Sequence, residues 1–232
     1  MKPLVVISAR GGSKRLPGKN IKLLNLKPLI HYTIEAAKEA FHDDVICVST
    51  DDEEIKQVSE QTGLRVPFLR PKELASDTAD SRSVLLHAYH YYKDIKSYDA
   101  NVIILLQPTS PLRNSTHIKE ALDLYQKSLD MVVSVKETDV NPYFVLYEEN
   151  DEGYLEKSKK GNYTRKQDAP KVWELNGAIY IMNVESLKKS QPNDFKKVVR
   201  YEMRPEYSID VDTEFDWEIL EILIKKYQKM ER

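Results

Sequence analysis

The 232-residue sequence predicts an α/β fold: a mainly parallel sheet with helices on both faces. Three observations predict it. Compact apolar runs at residues 4–7, 45–50, 102–106 and 131–135 read as buried strands. Between them lie stretches whose apolar residues recur at helical spacing. Strand and helix signals alternate through the first half instead of grouping, the order expected of parallel strands joined by crossover helices.

In chain order, residues 4–7 form the first strand and feed a basic, glycine-containing loop. Residues 29–41 carry Ile30, Ile34, Ala37 and Phe41 on one helical face, and residues 45–50 are a second strand. Asp51 and Asp52 can cap a helix holding Ile55 and Val58, closed by Gly63. Residues 66–70 read as a third, shorter strand. A helix over roughly 81–95 shows Val84, Leu85, Ala88, Tyr91, Tyr92 and Ile95 on one face. Val102-Ile103-Ile104-Leu105-Leu106 is the strongest strand signal and is expected at the sheet's centre. Ile118, Leu122, Tyr125 and Leu129 mark another helix before the strand at 131–135.

The rhythm changes near residue 137. Residues 143–147 read as a strand, and the polar turn Asn150-Asp151-Glu152-Gly153 before Tyr154 and Leu155 signals a hairpin. Residues 157–168 are strongly polar. The segment 137–172 therefore reads as an inserted lobe, and residues 1–232 as a single domain. Strands return at 177–182 and 198–203. An amphipathic helix from about Thr213 closes the chain, with Phe215, Ile219, Ile222, Leu223 and Tyr227 facing inward.

Hydrophobic residues make up 41% of the chain, enough for a sizeable core. A formal net charge of -2, with 31% charged residues of mixed sign, argues against a nucleic-acid binder. The single cysteine, Cys47, lies in an apolar run, reads as a core residue and not a nucleophile, and fits a reducing, cytoplasmic setting. No apolar stretch approaches the ~20 residues needed to cross a bilayer, and no signal peptide is read at the start.

The first loop, Ala9-Arg10-Gly11-Gly12-Ser13-Lys14-Arg15-Leu16-Pro17-Gly18-Lys19-Asn20, is the sharpest chemical signal. Glycines allow close backbone approach, and successive backbone N–H groups make a concave anion site. With four cationic side chains around them, a nucleoside triphosphate is the implied ligand; the alternative is a basic surface turn. It is not a P-loop: five residues separate Gly12 from Gly18, and Asn20 follows Lys19. The dinucleotide fingerprint is absent too. Ligands of such sheets bind outside the carboxyl ends of the strands, where this loop and Gln107-Pro108-Thr109-Ser110-Pro111 both lie.

A second signal is Ser208-Ile209-Asp210-Val211-Asp212. In an extended strand Asp210 and Asp212 project together while Ile209 and Val211 face the core. Neighbouring carboxylates repel unless a cation lies near them, and Mg²⁺ is the cation that prefers carboxylates, phosphates and water. Asp210 and Asp212 thus form a candidate Mg²⁺ clamp; the competing reading makes Asp212 or Thr213 a helix cap, with Glu214 and Asp216 in the first turn.

With these residues in view, the chain resembles the acylneuraminate cytidylyltransferases, and within them relatives acting on legionaminic-type sugars. The matching segments are the first loop, Leu69-Arg70-Pro71-Lys72-Glu73-Leu74-Ala75, Leu106-Gln107-Pro108-Thr109-Ser110-Pro111-Leu112-Arg113, Asn176-Gly177-Ala178-Ile179-Tyr180-Ile181 and Ser208-Ile209-Asp210-Val211-Asp212-Thr213, in family order along nearly the whole chain. The resemblance implies a nucleotidyltransferase, Rossmann-like sheet with a small protruding β-rich dimerisation lobe. It implies a homodimer, transfer of CMP from CTP to a nine-carbon acidic keto-sugar, release of pyrophosphate and a need for Mg²⁺. Arg10 and Lys19 would hold the triphosphate; Gly11, Gly12 and Ser13 would line the phosphates; Asn20 would meet the nucleotide. Arg70 and Ser81 match positions near the cytosine, and Gln107, Asn176 and Tyr180 match the sugar pocket, although a strand tyrosine such as Tyr180 can equally be core packing. Asp210 and Asp212 match the metal ligands, and Asp210 shares the catalytic role with Arg10 and Lys19. Lys166, beside Arg165, falls where the family usually has an arginine. Phe144 falls where sialic-acid members carry a lysine that reaches the partner's sugar, which favours a less polar, deoxy-diacetamido sugar. Two alternatives stay open: a cytidylyltransferase for the eight-carbon acid KDO, and a non-catalytic nucleotide sensor.

Overall fold

The computed structural model describes residues 1–76 and 79–230, with side chains described as far as residue 226. Its strands are β1 (Pro3–Ser8), β2 (Leu23–Leu24), β3 (Lys27–Pro28), β4 (Ile46–Ser49), β5 (Val102–Leu106), β6 (Met131–Glu137), β7 (Tyr147–Glu149), β8 (Leu155–Lys157), β9 (Trp173–Asn183) and β10 (Val198–Glu202). Its helices are α1 (Leu29–Lys38), α2 (Glu53–Glu60), α3 (Ser81–Asp94), α4 (Ser115–Asp123), α5 (Val184–Lys189) and α6 (Glu214–Met230).

Six strands form one sheet in the order β10-β6-β9-β5-β1-β4. The pairs β1·β4, β1·β5 and β6·β10 are parallel, as expected. The exception is β9, which runs antiparallel between β5 and β6. Its reversal follows from its connection: the chain leaves β6, makes the lobe and returns without a crossover helix, so it re-enters in the opposite direction.

Alternation along the strands feeds two cores. Val5 and Ile7 pack with Ile30, Ile34, Ile55 and Ile118 from α1, α2 and α4 on one face. Leu4 and Val6 pack with Leu85, Tyr89, Tyr92 and Leu187 from α3 and α5 on the other. A third cluster joins Leu16, Leu24, Leu29 and Val211 to Trp217, Leu220 and Ile224 of α6, pinning the first loop to the C-terminal helix.

Several local expectations are corrected. Residues 66–70 form no strand; only an isolated parallel bridge links Thr50 to Leu69. Residues 143–145 are a turn and not a strand, and of the expected run only Tyr147 is extended, as the first residue of β7: Asn141 Oδ1 accepts the Tyr143 amide, and Asn141 O accepts the amides of Phe144 and Val145. The hairpin itself is present as β7 and β8, turned at Gly153 with φ +84°. The acidic segment 208–212 is irregular and belongs to no strand. On α3, Tyr89 takes the buried place expected for Ile95, which lies past the helix end and is exposed. α4 ends at Asp123, so Tyr125 and Leu129 follow it, yet Tyr125 is still buried. On α6 the inward stripe is Trp217, Leu220 and Ile224, while Phe215 and Ile222 face solvent; the Tyr227 side chain lies outside the described residues.

Candidate active site

The first loop leaves the carboxyl end of β1 and is held by its own polar groups. Asn20 Nδ2 donates to Arg10 O at 3.0 Å, and the Gly11 amide donates to Asp51 Oδ1 at 3.2 Å. A Cβ on Gly11 would meet Asp52 Oδ2 at 2.4 Å. Gly11 is therefore glycine because the loop packs on the cap of α2, where Asp52 accepts from the Glu54 and Ile55 amides. Its close approach is to protein, and Gly12 faces open space.

Opposite this loop lies the acidic segment. Val211 is fully buried, and its amide donates to Thr109 O at 2.9 Å. The alternation read from the sequence survives without a strand: Ile209 and Val211 join the third core cluster while Asp210 and Asp212 line the cleft. Helix capping is done by neighbours: Thr213 Oγ1 accepts from the Asp216 amide at 3.2 Å, and the Thr213 amide donates to Asp216 Oδ2 at 2.7 Å. That leaves both aspartates to the cleft.

Lys19 joins the two walls. Nine-tenths buried, it donates from Nζ to Val211 O at 2.7 Å and to Asp212 Oδ1 at 2.9 Å. Arg15 adds a looser ion pair to Asp212 at 3.6 Å. Between the walls opens a cleft of about 690 Å³. Arg10, Ser13, Lys19, Asn20, Asp210 and Asp212 line it together with Arg70, Ser81 and Gln107.

Asp210 is reachable by solvent but hemmed in by the cleft walls. Desolvation raises its pKa first, with Asp212 adding to the rise, while the Thr109 hydroxyl and Lys19 oppose it. Arg70 is buried and locked: Nε donates to Ser49 Oγ at 3.1 Å, and Nη2 reaches Ser8 Oγ at 3.0 Å and Ser49 O. Desolvation lowers its pKa. It lines the cleft as a fixed donor with little freedom to swing.

Of the residues expected at the site, Arg10, Ser13, Lys19, Asn20, Arg70, Ser81, Gln107, Asp210 and Asp212 share this cleft. Gly11, Gly12, Lys166, Asn176 and Tyr180 do not line it. Asn176 is buried and committed to protein, donating to Ser208 Oγ at 2.9 Å and accepting from Ser134 Oγ at 2.6 Å. Tyr180 is partly buried in the second core cluster on β9, and burial, with Asp210 nearby, raises its pKa. Lys166 pairs with Asp139 in the lobe, and Arg165 makes a two-pronged pair with Asp168 at 2.8 and 2.9 Å.

Three residues given no role from the sequence matter here. β9 bulges against β6 between the pairs Val133–Tyr180 and Val135–Leu175, and Ser134 fills the bulge, donating to Asn176 Oδ1 and accepting from the Ile179 amide at 2.8 Å. Gly177 sits in the bulge with φ +74°; a Cβ there would lie 2.8 Å from Gln107 Oε1 and 3.3 Å from Asp210 Oδ2. The Asn-Gly pair inside a strand was the available signal. Thr109 grips the acidic segment twice, by its carbonyl to Val211 and its hydroxyl to Asp210.

Fold and cleft together define an α/β protein with a cationic loop and a carboxylate pair facing one another at the carboxyl ends of its strands. Residues 4–231 match the family model described as Cytidylyltransferase, and the chain belongs to that family. The N-acylneuraminate cytidylyltransferase of Streptococcus agalactiae serotype V is 39% identical over 223 residues, covering 94% of this chain and 52% of that protein. The chain thus spans about half the length of the first relatives it matches. Post-translational flagellin modification protein B of Campylobacter coli is 36% identical, covering 96% and 95% of the two chains. The CMP-N,N'-diacetyllegionaminic acid synthase of Legionella pneumophila is 34% identical, covering 99% of each. Among solved structures, a CMP:2-keto-3-deoxy-manno-octonic acid synthetase complexed with CTP superposes with a TM-score of 0.69 at 21% identity, over 98% of this chain and 100% of that one. The 4-diphosphocytidyl-2C-methyl-D-erythritol synthase of Anaerococcus prevotii gives 0.66 at 11% identity, over 96% and 98%. These two likenesses bear out the fold, and the family match bears out the resemblance read from the motifs. Among the described residues, no helix is long and apolar enough to cross a membrane.

Proposed function

We propose that this chain transfers CMP from CTP to the anomeric hydroxyl of a nine-carbon acidic keto-sugar of sialic or legionaminic type, releasing pyrophosphate. The observation that carries the proposal is Lys19, which draws the cationic loop and the aspartate pair onto one cleft. In the reaction the sugar hydroxyl oxygen attacks the α-phosphorus in line, the bond to the bridging oxygen breaks, and pyrophosphate leaves. Positioning and charge neutralisation carry most of the acceleration in such transfers. Arg10 and Ser13 face the triphosphate, with Arg10 meeting the charge that builds at the α-phosphate. Asp212 is engaged by Lys19 and Arg15, so Asp210 is the carboxylate better placed to take the hydroxyl proton.

The donor set fits Mg²⁺. Asp210 and Asp212 both open on the cleft of about 690 Å³, beside the cationic loop. One or two carboxylates plus substrate phosphates is the arrangement Mg²⁺ favours. When bound by Asp210 and Asp212, the ion would neutralise phosphate charge and acidify the attacking hydroxyl.

The Legionella relative, which is named for diacetyllegionaminic acid and covered along 99% of its length, supports the less polar sugar class, as does the aromatic Phe144. Lys157 stands 5.9 Å over the Phe144 ring, so a cation remains close to that position. We further infer a homodimer formed through the 137–172 lobe, where Val145, Leu146, Tyr154 and Leu155 are exposed. In it Lys166 and Arg165 would serve the partner's cleft. A cytoplasmic setting is supported by the lone buried thiol of Cys47, whose pKa burial pushes up.

The test is to incubate the protein with CTP, Mg²⁺ and a panel of acidic keto-sugars and to measure pyrophosphate. Release with a nine-carbon sugar is expected. Release with the eight-carbon acid alone would move the assignment to that substrate, and CTP binding without release for any sugar would make the protein a nucleotide sensor.

A further inference from the structure

Arg113 is among the largest fully buried side chains of the described residues, at 1% exposure. Its Nη2 donates to Thr33 Oγ1 at 2.7 Å, while Nε and Nη1 have no partner among the described residues. A buried cation without a counter-charge costs stability, and an apolar replacement of similar volume is often neutral or stabilising. Its retention needs a reason outside folding.

The geometry supplies one. Arg113 ends the loop that leaves β5, and Thr33 lies on α1 directly beneath it. A guanidinium can only donate. Once Nη2 donates to Thr33 Oγ1, the hydroxyl's own proton must point elsewhere, and Gln107 O stands 3.5 Å away to accept it. Gln107 O in turn accepts the Ser110 amide at 3.4 Å, and the Arg113 amide returns to Ser110 O at 3.3 Å. The same loop holds the acidic segment through Thr109 O. Gln107 lines the cleft, and its amide oxygen occupies the space that a Cβ on Gly177 would need.

We infer that Arg113 and Thr33 form a positioning relay that fixes the Gln107 backbone and aims its side chain at the keto-sugar. The inference rests on the reading of Gln107 as a sugar-side residue. Neither Arg113 nor Thr33 lines the cleft, so both act through Gln107.

Three variants test it: Arg113→Met, Thr33→Val and Thr33→Ser. Arg113→Met removes an uncompensated charge and should raise the melting temperature or leave it level. Thr33→Val leaves all three guanidinium nitrogens without a partner among the described residues and should lower it. Despite these opposite effects on stability, both should raise KM for the keto-sugar at least about fivefold, the worth of one hydrogen bond, with KM for CTP unchanged. Thr33→Ser keeps the hydroxyl and should retain the wild-type sugar KM. A Thr33→Val sugar KM within twofold of wild type, or a CTP KM that rises in step with it, overturns the relay. If Arg113→Met does not fold, the valine and serine variants decide. Hydrogen exchange of the Gln107, Thr109, Ser110 and Leu112 amides gives a readout that needs no turnover. It should speed up about tenfold in Thr33→Val and not in Thr33→Ser. Unchanged exchange overturns the relay, whereas altered exchange in a protein inactive on every sugar upholds it and instead refutes the functional reading.

Discussion

Removing the Lys19 ammonium should destabilise the protein and separate the two walls of its cleft. In Lys19→Met the aliphatic stem still fills its place, so the loss is confined to two polar contacts. Val211 O, on a fully buried residue, loses the donor held at 2.7 Å, and a stranded buried acceptor costs ~1–3 kcal/mol. The pair to Asp212 at 2.9 Å adds less, because that carboxylate is 50% exposed and water screens it: ~0.5–1 kcal/mol. The sum is about 1.5–4 kcal/mol, a fall in melting temperature of roughly 3–16 °C for a domain of this size. Thermal unfolding followed by circular dichroism measures it, with urea titration checking that the transition stays two-state. Turnover measured by pyrophosphate release should fall as well, since Asp212 loses its tight contact with Lys19 and keeps the looser one with Arg15. A Lys19→Met protein melting within about 1 °C of wild type would show that the bridge carries no load, and the cleft would need another explanation.

Further outcomes follow from the same geometry. Arg10→Ala should lower turnover at least about a hundredfold, the loss of one well-placed donor to transition-state charge, with the melting temperature unchanged; turnover within threefold of wild type would contradict its role. Gly177→Ala forces a left-handed backbone on a residue with a Cβ and drives that Cβ against Gln107 and Asp210, so stability should drop by ~1–2 kcal/mol and activity should fall further than stability alone explains. Leu26 is 92% exposed at φ 65°, so Leu26→Gly should stabilise the protein by about 0.5–1 kcal/mol, the relieved strain less the extra unfolded-state freedom, read as a higher urea midpoint. Asp130 is held below the ordinary carboxylate range, first by the Ser186 hydroxyl and then by the Lys197 amide. Its folded pKa lies below its unfolded one, so its stabilisation is present above the unfolded pKa and is lost as pH falls through the folded pKa. Asp130→Asn should therefore flatten the loss of stability on the acid side, measured as urea midpoints across that window.

Much of this was legible in the residues themselves. Strands such as Val102–Leu106 are short, apolar and β-branched, and burial on both faces leaves little choice of composition, so β1, β4, β5 and β6 could be placed from pattern alone. Patterns that depend on a partner were not so readable. The 66–70 run resembles a strand but finds only one bridge, because Arg70 turns inward to Ser8 and Ser49. Phe215 and Ile222 have the spacing of a core stripe, yet the third cluster takes Trp217, Leu220 and Ile224 instead. Which side of a helix is buried depends on what stands opposite it, and no local rule states that.

By itself the sequence determined the chemistry on offer: a cationic glycine loop, a pair of aspartates two residues apart, and the family that combines them. Tertiary structure alone decided which groups meet. Contacts such as Lys19 with Val211, 192 residues apart, or Arg113 with Thr33, 80 apart, depend on how β1, β5 and β9 are ordered in the sheet. Strand order is set by the whole core at once, and a linear reading has access only to neighbours along the chain.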